Sequence, residues 1–174
     1  MRQKAAQGML ALMSCLGVVG FSSGDAIAAE TVLLRYQGFG RAVPVNDLAA
    51  LAHTGQAPDS VGGLLNMANE DPATLQDVLT RNLSVDPNLL DKALYSWPGE
   101  WALDQMSSAI HPPSGQASRQ ALRSAIVLAA AEDRQVSLME VLEKYPTPQV
   151  VLEGDQIANA YTQLATLLTS LSIF

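Results

Sequence analysis

The sequence predicts a mainly α protein, a small multi-helix bundle with a short N-terminal β-hairpin. Helix-start signals recur along most of the chain, and the apolar residues between them follow the spacing of one helix face. Ahead of them, residues 31–36 and 41–45 are rich in β-branched residues, and a glycine-containing turn separates these two stretches. Pro44 confines the second strand to a sheet edge, because proline has no amide hydrogen to donate to a neighbouring strand.

The first two helices are marked by their ends. Asn46 is the expected N-cap of a helix that stops at Gly55, and a second helix is expected over residues 59–67. A short motif then occurs twice, with Asp-Pro at positions 71–72 and again at 86–87. In each copy the aspartate caps free amides and the proline occupies the first helical position, where its missing donor does no harm.

The second half of the chain predicts four further helices. Residues 98–110 form one of them, ended by the prolines after His111. Residues 118–131 are the most apolar helix, with Leu128 on one of its apolar faces, so we place this helix at the centre of the bundle. Ser137 caps a short helix over residues 138–145, in which Glu140 and Lys144 are spaced for an ion pair. Residues 147–153 are extended, and a last helix covers residues 156–171.

Residues 1–28 have the three zones of a secretory signal peptide. Arg2 and Lys4 form a positive start, an uncharged apolar stretch follows, and residues 26–28 offer the small side chains that a signal peptidase accepts. The apolar stretch is shorter than the about 20 residues of a permanent span. We therefore predict cleavage near Ala28 and export to the periplasm or beyond the cell. What is left is a single helical domain, residues 29–174, without a transmembrane span.

The charge of the chain excludes one class of partner. The chain has 10 basic and 17 acidic residues, and removal of the predicted signal peptide takes away two basic residues and one acidic residue, which leaves a net charge of −8. Nucleic-acid binding draws on clustered lysine and arginine. The composition therefore excludes nucleic acid as a partner.

Two apparent catalytic features lie inside the predicted signal peptide. Cys15 is the only cysteine, so the mature domain is expected to have neither a disulfide nor a thiol nucleophile. Ser22 lies in the only G-x-S-x-G pattern, but this nucleophile motif needs a strand before the serine and a helix after it. We therefore assign Ser22 no catalytic function.

The histidines and the paired carboxylates do not form a recognisable site. His53 and His111 are the only histidines, and neither has a local partner at metal-ligand spacing. We interpret the paired carboxylates as solvated surface, or as a helix cap in the case of Asp71. These pairs are Glu70 with Asp71, Glu100 with Asp104, and Glu132 with Asp133. The sequence thus predicts no catalytic residue, no metal site and no cofactor.

Trp97 and Trp101 form the densest aromatic feature. One interpretation is a platform for a sugar or a lipid. We favour a role in the core, because Trp97 can lean on a helix that begins at Pro98 and Trp101 lies one turn inside it.

The last predicted helix carries no charged residue, and one of its faces is apolar. That face consists of Ile157, Ala160, Tyr161, Leu164, Leu168 and Leu171. We favour a helix that closes the bundle. The alternative is a partner or ligand surface, together with Trp97 and Trp101, because exposed apolar patches usually mark interfaces. A membrane-surface helix is disfavoured, since the polar face lacks cationic residues.

Several blocks of the chain carry a family resemblance. They are Leu33-Leu34-Arg35-Tyr36 with Gly38-Phe39, Val45 with Leu48, Leu94-Tyr95-Ser96 with Gly99-Glu100, residues 121–131, and Ser137-Leu138 with Val141-Leu142 and Tyr145-Pro146. Over about residues 31–153 the chain resembles a domain family of unknown function from cyanobacteria and plants that is associated with α/β hydrolases. In such families the helical domain often precedes a hydrolase domain. We expect a free-standing version without the hydrolase domain, since only one helix follows residue 153.

The expected function is that of an exported, non-catalytic accessory domain that acts by protein contact. Its partner would be a separately encoded hydrolase or another exported protein. The alternative is a small-molecule or lipid carrier with a pocket lined by Trp97, Trp101 and the apolar helices. A third hypothesis is an esterase-like or lipase-like hydrolase with a site that the sequence does not reveal.

Overall fold

The computed structural model describes residues 28–171, except four side chains of the last helix at positions 158, 168, 170 and 171. This range forms a mainly α fold with an N-terminal hairpin, as predicted. The helices are α1 (Val45–Thr54), α2 (Asp59–Ala68), α3 (Pro72–Thr80), α4 (Pro87–Leu94), α5 (Trp97–Met106), α6 (Ser118–Asp133), α7 (Leu138–Glu143) and α8 (Ile157–Leu171). The strands are β1 (Thr31–Tyr36), β2 (Phe39–Pro44), β3 (Leu83–Ser84), β4 (Ile110–His111), β5 (Gln135–Val136) and β6 (Gln149–Glu153). Cys15, Ser22 and the predicted signal peptide up to residue 27 lie outside the described residues.

One layer of the fold is a four-stranded sheet in the order β2–β1–β6–β4. β1 and β2 form the predicted hairpin, paired antiparallel from Thr31 opposite Pro44 to Tyr36 opposite Phe39, and Pro44 lies on the edge strand as expected. β6 pairs parallel with β1 and antiparallel with β4. Three successive residues of β6, numbers 150–152, are buried, so both faces of this strand are covered. β3 and β5 form a separate two-stranded ladder.

The predicted helix caps are present at both Asp-Pro motifs. The side chain of Asp71 accepts a hydrogen bond from the amide of Ala73 at 2.8 Å, and Asp86 accepts one from the amide of Asn88 at 2.9 Å. Gly55 ends α1 in the left-handed conformation, with φ at 73°. These signals are local, which is why the sequence reveals them.

Helix α6 packs one face into the core. Its buried residues are Ala121, Leu122, Ala125, Ile126, Ala129 and Ala130. The prediction that Leu128 shares an apolar face buried at the centre is wrong, since this side chain is 47% exposed. Leu128 lies outside the strip formed by the six buried positions, so α6 is a one-sided helix and not one surrounded by other elements.

The predicted start of α1 and the predicted end of α5 are wrong. Helix α1 begins at Val45 with Pro44 in the cap position, so Asn46 is inside the helix and not its N-cap. The amide of Val45 donates to the carbonyl of Glu30 at 2.9 Å, which fixes the entry to the helix directly after β2. Helix α5 ends at Met106 and not at Ile110, because Ile110 belongs to β4 and pairs with β6.

The predicted ion pair between Glu140 and Lys144 is also wrong. The carboxylate of Glu140 accepts hydrogen bonds from the amide and the hydroxyl of Ser137, both at 2.7 Å, in a capping box at the start of α7. Lys144 pairs instead with Glu132 at the end of α6. This hydrogen bond raises the pKa of Lys144. The carboxylate of Glu140 is therefore engaged by Ser137 in the helix cap, and Lys144 has a different partner.

Tyr145 gives a pH-dependent test of the core. Its side chain is fully buried, its hydroxyl has no hydrogen-bond partner among the described residues, and burial raises the pKa of the phenol. An unfolded tyrosine ionises near pH 10, so above that pH the unfolded state loses a proton that the folded state keeps, and stability falls. Tyr145→Phe removes this loss. From pH 7 to pH 11 the variant is expected to lose about 1.4 kcal/mol less stability than the unsubstituted protein.

Urea denaturation at the two pH values measures this difference. At pH 7 the variant should be at least as stable as the unsubstituted protein, because the hydroxyl it loses has no partner within residues 28–171. Equal losses of stability for both proteins at pH 11 would contradict the burial of this phenol.

Candidate functional site

Trp97 and Trp101 are exposed on one face of α5. Their exposed fractions are 80% and 51%, so the core role expected for them is wrong. The buried face of α5 consists of Gly99, Ala102, Leu103 and Met106. The two tryptophans are four residues apart, which places them together on the opposite side of the helix.

Tyr95 extends this aromatic feature. It follows α4, is 62% exposed, and its ring lies under the guanidinium of Arg123 at 4.1 Å from the ring centroid. We call Tyr95, Trp97 and Trp101 the aromatic surface. Large exposed aromatic side chains are enriched at protein interfaces, where their burial supplies much of the binding energy.

Charged side chains beside the aromatic surface form one network. Arg119 binds Asp104 through two hydrogen bonds of 2.6 and 2.7 Å and reaches Glu100 at 3.2 Å. Arg123 also reaches Glu100, at 3.3 Å, while it stacks on Tyr95. The bond to Asp104 raises the pKa of Arg119. The network links α5 to α6, so the helix that carries both tryptophans is anchored to the helix next to it.

The predicted apolar face of α8 is turned largely toward the protein. Ala160, Leu164 and Leu167 are buried, and the helix packs against α5 and α4. Ile157 and Tyr161 are half-buried. Leu168 and Leu171 belong to α8, but their side chains are outside the described part of the structure. The structure therefore separates Trp97 and Trp101, which face solvent, from Leu164, which faces the core.

Ile157 and Tyr161 line a cavity of about 280 Å³. It lies between the sheet, the helices α2, α3 and α7, and the start of α8. Apolar side chains from each of these elements form most of its wall. They include Leu34, Leu64, Leu75, Val78, Leu138 and Leu152. Trp97 and Trp101 are not among its lining residues, so this cavity is not the pocket expected around them.

Besides the hydroxyl of Thr74, the polar side chains of the cavity wall lie at two places. At one, the hydroxyl of Tyr36 donates to the carboxylate of Glu70 at 2.8 Å, and this bond raises the pKa of Tyr36. At the other, the guanidinium of Arg81 lies over the ring of Tyr161, 5.3 Å from its centroid. Desolvation raises the pKa of Tyr161, and the charge of Arg81 opposes this shift. The cavity thus has an acidic end and a basic end.

The polar residues of the cavity were not predicted from the sequence. One signal was available for Arg81, which is the only lysine or arginine in residues 42–91. Tyr36 and Glu70 gave no such signal, because their contact joins the end of β1 to the segment after α2.

A family model described as "Alpha/beta hydrolase of unknown function (DUF1400)" matches residues 28–153. The chain belongs to this family. No curated protein and no solved structure matches the chain. The DUF1400 match spans β1 through β6, so it includes the aromatic surface and most of the cavity wall. Helix α8, which contributes Ile157 and Tyr161 to the cavity, follows the matched segment.

Because DUF1400 is described as an α/β hydrolase, Ser137 is compared with the nucleophile of that enzyme class. This residue lies between strand β5 and helix α7, where the nucleophile of an α/β hydrolase would stand. However, its hydroxyl donates to Glu140 and accepts the cap bond from the Glu140 amide. The flanking residues Gln135 and Met139 also replace the glycines of the nucleophile motif. Ser137 therefore has the bonding of a helix cap.

The two histidines of the described range have different surroundings. His53 is exposed near the end of α1. In His111, Nδ1 lies 2.9 Å from the carbonyl oxygen of Pro112, and Nε2 lies 3.8 Å from the carboxylate of Glu153. Arg35 also binds Glu153, at 2.8 Å. Within residues 28–171, no cluster of three or more His, Cys, Asp or Glu side chains is arranged to hold a metal ion. In the same range, no helix has the length and hydropathy of a membrane span.

Proposed function

We propose that this chain is an exported, non-catalytic accessory domain that acts by protein contact, and that its partner is an α/β hydrolase on a separate chain. The observation that carries the proposal is the exposure of Trp97 and Trp101 on one face of α5. Two indoles held in water are costly for a monomer and typical of the centre of an interface. The hydrolase in the description of the DUF1400 family motivates the choice of partner.

Two further features support this proposal. The network of Arg119, Arg123, Glu100 and Asp104 holds α5 against α6, so the aromatic surface stands on a fixed support. A preformed surface loses little conformational entropy on binding.

The second feature is the predicted signal peptide, which supports export and gives a mature N-terminus at residue 29. The intact mass of the protein recovered from the periplasm tests this.

Affinity capture from periplasmic extract tests the contact. We expect the mature domain to retain an α/β hydrolase that mass spectrometry identifies. Binding of that purified hydrolase should weaken at least about thirtyfold in the Trp97→Ala/Trp101→Ala double variant, since even a single hot-spot residue contributes about 2 kcal/mol or more. Leu128→Ala is the matched control, because Leu128 is also an exposed apolar residue but lies on α6.

Two outcomes would count against the contact function. One is recovery of no hydrolase above background. The other is equal binding by the double variant and the Leu128→Ala control, which would remove the aromatic surface from the interface.

The second candidate is a small-molecule carrier, and the cavity between α3, α8 and the sheet is the observation that favours it. Ligand sites are mostly apolar concave spaces with a few polar groups that orient the ligand. The cavity has this composition, with Thr74, the pair Tyr36–Glu70 and Arg81 as its polar residues. This function is compatible with the contact function, because the aromatic surface and the cavity share no residue.

A further inference from the structure

A ligand for the cavity presupposes the second candidate function, that of a small-molecule carrier. The cavity shares no residue with the aromatic surface. Its volume is about 280 Å³. An apolar cavity of about 150 Å³ accepts one benzene molecule, so the space here suits a ligand of about a dozen non-hydrogen atoms. A membrane lipid with two acyl chains is several times larger than this. The size therefore favours a small molecule with a single chain.

The wall determines which part of the ligand is apolar. Leu75 and Val78 on α3 face the cavity together with Leu34 of β1 and Leu152 of β6. Burial of a hydrocarbon chain against such a wall is favourable by about 0.8 kcal/mol for each CH₂ group. Most of the ligand is therefore expected to be hydrocarbon.

The charges at the two polar places determine which head group the ligand carries. No carboxylate among residues 28–171 forms an ion pair with Arg81, and its cationic group rests on the Tyr161 ring. Glu70 at the other place accepts the Tyr36 hydroxyl. An anionic head group is attracted to Arg81 and repelled by Glu70. Among anions, a carboxylate suits arginine well, because the two groups pair through two parallel hydrogen bonds.

Gly154 gives the acidic end its shape. A Cβ atom at this position would stand 2.9 Å from Cδ2 of Tyr36, which is closer than such atoms approach in proteins. The glycine therefore lets the Tyr36 ring lie against the turn after β6, with its hydroxyl directed to Glu70. The hydroxyl is engaged there, and Arg81 is the cationic residue of the wall, so it is the group that receives an anion.

We propose that this cavity binds a free single-chain carboxylate of about ten carbon atoms, with its chain between α3, α8 and the sheet and its carboxylate paired with Arg81. Calorimetric titration of the full chain tests this with three probes of one chain length: decanoate, decanol and decyltrimethylammonium. Decanoate is expected to bind with one site and at least about tenfold more tightly than decanol, because a charge-assisted pair adds to the same apolar burial. The cationic probe should bind most weakly.

Two arginine variants separate the specific pair from net charge. Arg81→Gln should weaken decanoate binding about tenfold or more and leave decanol binding within about twofold. Arg134→Gln is the matched control, since Arg134 also follows the last residue of a helix, α6, and does not line the cavity. This control should bind decanoate like the unsubstituted protein.

A cavity-filling variant tests the place of the chain. Val78→Phe should weaken both decanoate and decanol while far-UV circular dichroism shows that the protein is folded. The Trp97→Ala/Trp101→Ala variant should bind decanoate normally, so failure of the contact function and failure of this proposal are distinguishable. Absence of decanoate binding to the folded protein would overturn the proposal, as would equal affinities of Arg81→Gln and Arg134→Gln.

Discussion

Gly99→Ala is expected to destabilise the domain by about 3 kcal/mol or more, the upper end of what overpacking a core produces. Gly99 is buried at the start of α5, where this helix crosses the end of α4. A Cβ atom there would lie 1.9 Å from the carbonyl oxygen of Ala93 and 2.8 Å from Cα of Leu94. Both neighbours are backbone atoms, so no side-chain rotation relieves the clash and the two helices have to move apart.

Gly62→Ala is the matched control for this substitution. Gly62 lies within α2, and a Cβ atom there would be 3.8 Å from its nearest neighbour, the carbonyl oxygen of Ala57. Alanine is favoured over glycine in a helix by about 0.8–1.0 kcal/mol. Urea denaturation should therefore show the control slightly stabilised and Gly99→Ala strongly destabilised. Equal effects of the two substitutions would contradict the close approach of α4 and α5.

The contrast between Gly99 and the helix caps shows which parts of this fold the sequence reveals. Asp71, Asp86 and Ser137 cap amides within three residues of themselves, so a short stretch of sequence is enough to predict these caps. The close approach at Gly99 depends on how two helices cross. The pairing of Thr31 with Gln149 joins residues more than one hundred positions apart, and β6 is predicted only as extended for this reason.

The candidate site divides in the same way. Trp97 and Trp101 stand out in the sequence as an aromatic pair, but their exposure depends on which face of α5 meets α4, α6 and α8. Gly99 lies on the buried face and the indoles lie on the other. The cavity was not predictable, because its wall combines side chains from six separate elements of the fold. The place of Arg81 on the cavity wall could not be predicted either, because it depends on the contact of Arg81 with Tyr161 on α8.

Helix α6 provides the second large effect. Leu122→Ala is expected to destabilise the protein by about 2–5 kcal/mol, because it removes buried apolar surface and leaves a space that the core fills only in part. Leu122 is 1% exposed, whereas Leu128 on the same helix is 47% exposed. Leu128→Ala makes the identical chemical change and should alter the free energy of unfolding by no more than about 0.5 kcal/mol.

The comparison of the two leucines depends on burial alone, since helix propensity changes equally at both positions. Urea denaturation followed by far-UV circular dichroism gives both free energies, and the same preparation of Leu128→Ala serves as the control for hydrolase binding. A large loss of stability for Leu128→Ala would mean that α6 is covered on its outer face, for example by a second copy of the chain. A small loss of stability for Leu122→Ala would mean that α6 does not form part of the core. It would also contradict the support that Arg119 and Arg123 of α6 give to the aromatic surface.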